Sequence, residues 1–188
     1  SIALCYMTGI LPIKKYNTEL ALNNFKEFTM LKPFFVAPYI GFTEEEVKPL
    51  CQKFDMPFSD IKSRYEGYEF KGVGSIYSPF SVVNALTDHE INNYWIDTSS
   101  PNDLKQYINI NVDGLKEDVI NMSLGKRVPV RVGSFANDFV SLYNKGQVMT
   151  HSIHLGYLAY DAENKDAYVP NNEVKENLLN LLKIVIGI

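Results

Sequence analysis

The sequence is poor in cysteine: Cys5 and Cys51 are the only two in 188 residues, and neither has a Cys or His close by. That argues against a disulfide framework or a cysteine-based zinc site and predicts reduced thiols in a cytoplasmic protein. No apolar run reaches the roughly 20 residues of a membrane-spanning helix, and no charged-then-apolar leader opens the chain. No membrane partner is expected. Basic blocks are missing as well, and the formal net charge of −4 weighs against nucleic acid as a principal partner. A phosphate-binding loop is also absent. No Gly-x-x-x-x-Gly-Lys-Ser/Thr occurs, and Gly72-Val-Gly74 lacks the lysine and the spacing. ATP hydrolysis by this chain alone is therefore not expected.

What is present describes a folded protein of one or two domains, 46% hydrophobic and 13% aromatic. Ile2 to Met7 is a continuous apolar run ended by Thr8-Gly9. Such a run suits a strand covered on both faces, yet no second run with a crossover helix follows. It reads as the remnant of a sheet whose other strands lie upstream, left free to dock or to self-associate through residues 2–7. The opening at Ser1 inside this run reads as a truncated or processed start.

Further along, Thr43-Glu-Glu-Glu46 is a capping box that predicts a helix to about Phe54. Ser59 is expected to cap a second helix to about Tyr65. Tyr68-Glu-Phe and Ser75-Ile-Tyr flank Lys71-Gly-Val-Gly74 as a hairpin, and Ser78-Pro79 starts a helix to about Leu86. Pro101 repeats that signal for a helix to about Ile108, and composition shifts between Asn109 and Asp113.

Residues 112–183 carry the clearest pattern. A helix from Asp113 to Leu124 precedes a strand at Val128 to Val132, a short helix from Ser134 to Tyr143 and another from about Lys145 to Leu155. Gly156 sits where a left-handed helix end belongs. Tyr157 to Tyr160 and Ala167 to Val169 then flank the polar turn Asp161 to Asp166, and Asn171 or Asn172 caps a last helix after Pro170. Helix, strand, helix, helix, strand, strand is the order of a winged helix. The overall class is mainly α with small β elements (α+β).

Few residues suggest chemistry. His151 and His154 lie three apart, but with no further ligand nearby they read as a partly exposed helix face. Asp161, Glu163 and Asp166 lack the glycine and terminal glutamate of a calcium loop and read as a solvated turn. Asp88-His89-Glu90 reads as a polar turn, Trp95 as core, and Glu46-Val-Lys48 and Glu173-Val-Lys175 as surface positions in helix starts. As a DNA reader, the helix after residue 144 would present Lys145, Gln147, Thr150, His151 and His154. That is a weak electrostatic footprint, so DNA is only the alternative partner.

Several motifs occur in order: Tyr6-Met-Thr-Gly-Ile-Leu-Pro-Ile-Lys-Lys-Tyr16, Ala21-Leu-Asn-Asn-Phe25, Gly41-Phe-Thr-Glu-Glu-Glu-Val47 and Arg64-Tyr-Glu-Gly-Tyr68. Tyr77-Ser-Pro-Phe-Ser-Val82, Asn93-Tyr-Trp95, His154-Leu-Gly-Tyr157 and Val169-Pro-Asn-Asn-Glu-Val174 follow. Together they resemble the bacterial AAA-ATPase-like proteins that are usually followed by a PD-(D/E)XK nuclease-like domain. Tyr65-Glu66-Gly67-Tyr68 and Tyr77-Ser78-Pro79 depart mildly from the usual Tyr-Asp-Gly-Tyr and Tyr-Asn-Pro.

The resemblance implies the end of an ATPase-like core plus a helical lid over residues 1–111, and a winged helix over 112–188. It implies a sensor-like role for Thr8 at a nucleotide, meaningful only in a longer protein. This chain needs no cofactor by that reading; ATP and magnesium belong to a full-length parent. The implied partners are an upstream nucleotide-binding core and a downstream nuclease-like domain.

Overall fold

The computed structural model describes residues 4, 6–9, 11, 26–95, 102–132 and 144–186. The helix expected over Ser134 to Tyr143, the Pro101 signal and the motif at Ala21 to Phe25 lie outside the described residues. The described chain is mixed α and β, with two small antiparallel sheets.

Local signals account for most of the first half. Helix α1, Glu44–Lys53, begins at the expected capping box, where the Thr43 amide donates to Glu46 Oε2 at 2.8 Å. Helix α2, Phe58–Tyr65, starts one residue before Ser59, so Ser59 is not its cap. Pro57 stands there instead; its fixed φ suits a helix entrance without any side-chain bond. Strands β1, Glu66–Phe70, and β2, Gly74–Tyr77, form the expected hairpin. Ser78 then caps helix α3, Pro79–Asp88, which ends with His89 in the left-handed conformation. Val47, Cys51, Ile61, Tyr65, Tyr77, Val82, Ala85 and Leu86 close a first apolar core between these elements.

The second half builds another core. Helix α4, Asn102–Ile110, contributes Leu104 and Ile108, and helix α5, Leu115–Ser123, contributes Leu115, Val119 and Met122. The boundary expected near residue 111 therefore falls inside this second core. Strand β3, Val128–Pro129, helix α6, Lys145–His154, and strands β4, Ala159–Asp161, and β5, Asp166–Tyr168, follow. Strand β5 lies between β3 and β4. Gly156 has the expected positive φ of 82°, which a left-handed helix end favours in glycine. Helix α7, Asn172–Ile186, lays Val174, Leu178, Leu181 and Leu182 against the core. That i, i+4, i+7, i+8 spacing is one helical face.

In the opening segment the described residues differ from expectation. Leu4, Tyr6 and Met7 form no strand and lie exposed. An apolar run gains a ladder only where partner strands offer backbone donors and acceptors. No helix among the described residues is long and apolar enough to cross a membrane.

Candidate functional site

The two cores meet at a polar junction, and its centre is Glu173. The sequence pattern places Glu173 on the surface of a helix start; the structure buries it completely, at 0% exposure. A carboxylate loses its hydration there unless donors replace the water. Three donors do. Ser81 Oγ, on α3, donates to Oε2 at 2.8 Å, and the backbone amides of Tyr94 and Trp95 donate to Oε1 at 2.8 and 3.0 Å. Burial still pushes the carboxyl above its ordinary range, partly offset by these bonds and by the Arg64 charge.

Around this carboxylate the elements are tied by further polar contacts. Asn93 and Asn177 exchange side-chain bonds at 3.1 and 3.2 Å. Arg64 on α2 pairs with Glu176 on α7. Asn171 caps α7 by accepting the Val174 amide at 2.9 Å, while its own amide group donates to the Tyr65 carbonyl. Tyr65 donates its hydroxyl to the Asn92 carbonyl at 2.8 Å, and Tyr68 donates to the Gly156 carbonyl at 2.7 Å. Desolvation raises both phenols, Tyr65 to about 12. They stay neutral donors at any ordinary pH.

Gly67 lies between these tyrosines, with φ +148° and the Pro170 carbonyl so close that an added Cβ would stand 1.7 Å from its oxygen. Trp95 meets Tyr157 edge-on, 4.6 Å between ring centroids, and packs half-buried against the second core rather than inside it. Arg127 closes the far side. It bonds Glu69 and Asp161, each at 2.9 Å, and lies over the Tyr168 ring at 4.2 Å. Beside the junction is an open groove of about 550 Å³, lined by Ser63, Arg64, Asn172, Lys175 and Glu176 among others.

Four of the ordered sequence motifs thus meet in space. Arg64 to Tyr68, Asn93 to Trp95, His154 to Tyr157 and Val169 to Val174 all contribute to the seam, and Ser81 of a fifth reaches it. Their residues hold two cores together. The motif Asn171-Asn172-Glu173-Val174 was the available signal. Its acidic residue directly precedes the buried stripe that begins at Val174.

The residues nominated from sequence land elsewhere. Thr8 is exposed, in a segment without secondary structure among the described residues. On α6, Thr150 and His151 are buried, at 1% and 5% exposure, contrary to the partly exposed face expected. Packing of α6 into the second core decides this: the bulk of the helix turns inward with Val148 and Met149. Thr150 bonds back to the Gly146 carbonyl at 2.6 Å. His154 is half-buried, and burial with the nearby His151 pushes its pKa down to about 4. Lys145 pairs with Asp118 at 2.6 Å, which lowers its availability to phosphate, and Gln147 is half-buried. Among the described residues, no group of three or more His, Cys, Asp or Glu could hold a metal. The Asp161 carboxylate accepts the Glu163 and Asn164 amides, so it shapes the hairpin turn.

Compared with protein-family models, curated proteins and solved structures, the chain matches none.

Proposed function

We propose that this chain is the lid and winged-helix part of an AAA-ATPase-like protein, not catalytic by itself. In the longer protein it couples nucleotide state to a partner or to a downstream nuclease-like domain. The observation that carries this reading is the junction at Glu173. A coupling part must pass a displacement of one unit to the other, and side-chain bonds spanning both cores make them move together. Five of the motifs behind the family resemblance contribute residues to that seam. The order helix, strand, helix, strand, strand over 115–168, with β5 central, supports a winged helix as the second unit. Thr8 has its sensor-like role only beside an upstream core that binds ATP and magnesium.

Calorimetry with Mg-ATP on this chain and on the same reading frame extended upstream tests the proposal. The extended protein should bind nucleotide and this chain should not; a micromolar dissociation constant for this chain would refute it. The alternative is a DNA-binding module. The same element order favours it, but the inward turn of Thr150 and His151 leaves α6 few side chains for a groove. Duplex binding should be weak and salt-sensitive, and nanomolar binding near physiological salt would favour the alternative.

A further inference from the structure

Ahead of helix α1, Phe28 and the first two residues of the short 3₁₀ helix Phe34–Tyr39, Phe34 and Phe35, form a small cluster on the surface, outside both cores. Phe28 meets Phe34 edge-on at 6.3 Å and Phe35 edge-on at 5.1 Å between centroids. Phe34 and Phe35 are 57% and 67% exposed, although burial would be the ordinary fate of such rings. The Lys26 ammonium lies over all three rings, at 5.5, 5.3 and 5.4 Å from the centroids of Phe28, Phe34 and Phe35. Three faces converging on one cation make a cage, held by the quadrupole of each ring.

Two features separate this cage from a chance surface contact. Phe34 has φ +49°, a left-handed conformation that a bulky side chain rarely adopts. Its ring is exposed, so core packing does not enforce that strain. The second feature is size. A methyl carbon rests about 3.5–4.0 Å from a ring, and a C–N bond adds about 1.46 Å. A methylated nitrogen therefore sits about 5–5.5 Å from each ring, whereas a bare ammonium can come closer. The 5.3–5.5 Å around the Lys26 ammonium leaves room for such a methyl layer.

We propose that Phe28, Phe34 and Phe35 form a binding site for a trimethylammonium group, occupied in the free chain by Lys26. The primary ammonium is a tethered, loosely fitting occupant. A quaternary ammonium fills the same space with three methyl groups and carries less hydration to shed. Choline-like small molecules and trimethyllysine side chains share this headgroup, and either displaces Lys26 into water.

Titration of tetramethylammonium, followed by NMR of the phenylalanine rings, tests the site in wild type, Lys26→Ala and the double variant Lys26→Ala/Phe35→Leu. Removing the tethered competitor should tighten binding, by about threefold for an occupant that fills the cage about two-thirds of the time. The double variant should lose most of that binding while melting at the same temperature, since the Phe35 ring is largely exposed. Equal affinity in wild type and Lys26→Ala overturns the proposal. So does an equal response to the uncharged tert-butyl analogue of choline, which would show plain hydrophobic adhesion. Choline and a short trimethyllysine peptide are titrated in parallel into Lys26→Ala. The tighter of the two names the source; binding of neither sinks the site.

Discussion

Replacing Glu173 with Ala should be among the most damaging single changes in this protein, and replacing it with Gln one of the mildest at a buried charge. In Glu173→Ala, the Ser81 hydroxyl and the Tyr94 and Trp95 amides lose their acceptor at a site of 0% exposure. Each buried donor left unpaired costs about 1–3 kcal/mol. Release of a desolvated carboxylate offsets part of the total, leaving about 3–5 kcal/mol. Against an ordinary domain stability of about 5–15 kcal/mol, that is a large fraction. Gln keeps one carbonyl oxygen for the two amides and offers its amide group to Ser81. The Ser81 hydroxyl can then donate to Ser78 Oγ, already 3.2 Å away. The Gln variant should lie within about 1 kcal/mol of wild type.

The pH dependence follows from the raised carboxyl. Because its folded pKa lies above the unfolded value, the folded state retains a proton that the unfolded chain has lost. The stability linked to that proton is fully present below the unfolded pKa. It is lost as pH rises through the folded pKa. Glu173→Gln lacks this slope, so its stability relative to wild type should grow with rising pH across that window. Urea melts of the three proteins at several pH values, read by far-ultraviolet circular dichroism, measure all of this. An Ala variant within about 1 kcal/mol of wild type would refute the idea that unpaired donors dominate here. A Gln variant as unstable as Ala would mean that the charge itself holds the junction.

Gly67→Ala should cost several kcal/mol, about 4 or more, because its Cβ would overlap the Pro170 carbonyl. Gly72→Ala, also at positive φ but with nothing within 4 Å, should cost only about 1 kcal/mol, and thermal melts of the pair separate clash from backbone strain. Asn171→Ala removes the cap of α7 and should cost about 1–2 kcal/mol, measured by urea unfolding; no change would mean that water caps the helix equally well. His154, with its pKa pushed down to about 4, should stay neutral through most of the acid range. The unfolded chain takes up that proton first, so stability linked to His154 should be lost as pH falls from the ordinary value of about 6.5 through about 4. An NMR titration that places His154 near 6.5 would contradict its burial.

Helix starts and turns were legible because their energetics close within a few residues. Thr43 and Glu46 satisfy each other three positions apart, Ser78-Pro79 sets its own helix entrance, and Gly156 and Asn171 end and begin helices by backbone needs alone. Which face of a helix is covered is a different question. His151 and Glu173 sit on polar-looking stretches, and no local signal says that α6 turns one inward or that Ser81, 92 residues away, meets the other. That pairing exists only once two separately nucleated cores dock and the seam between them loses its water. A charged side chain caught there is then kept by the donors it finds, and those come from segments that sequence order holds far apart.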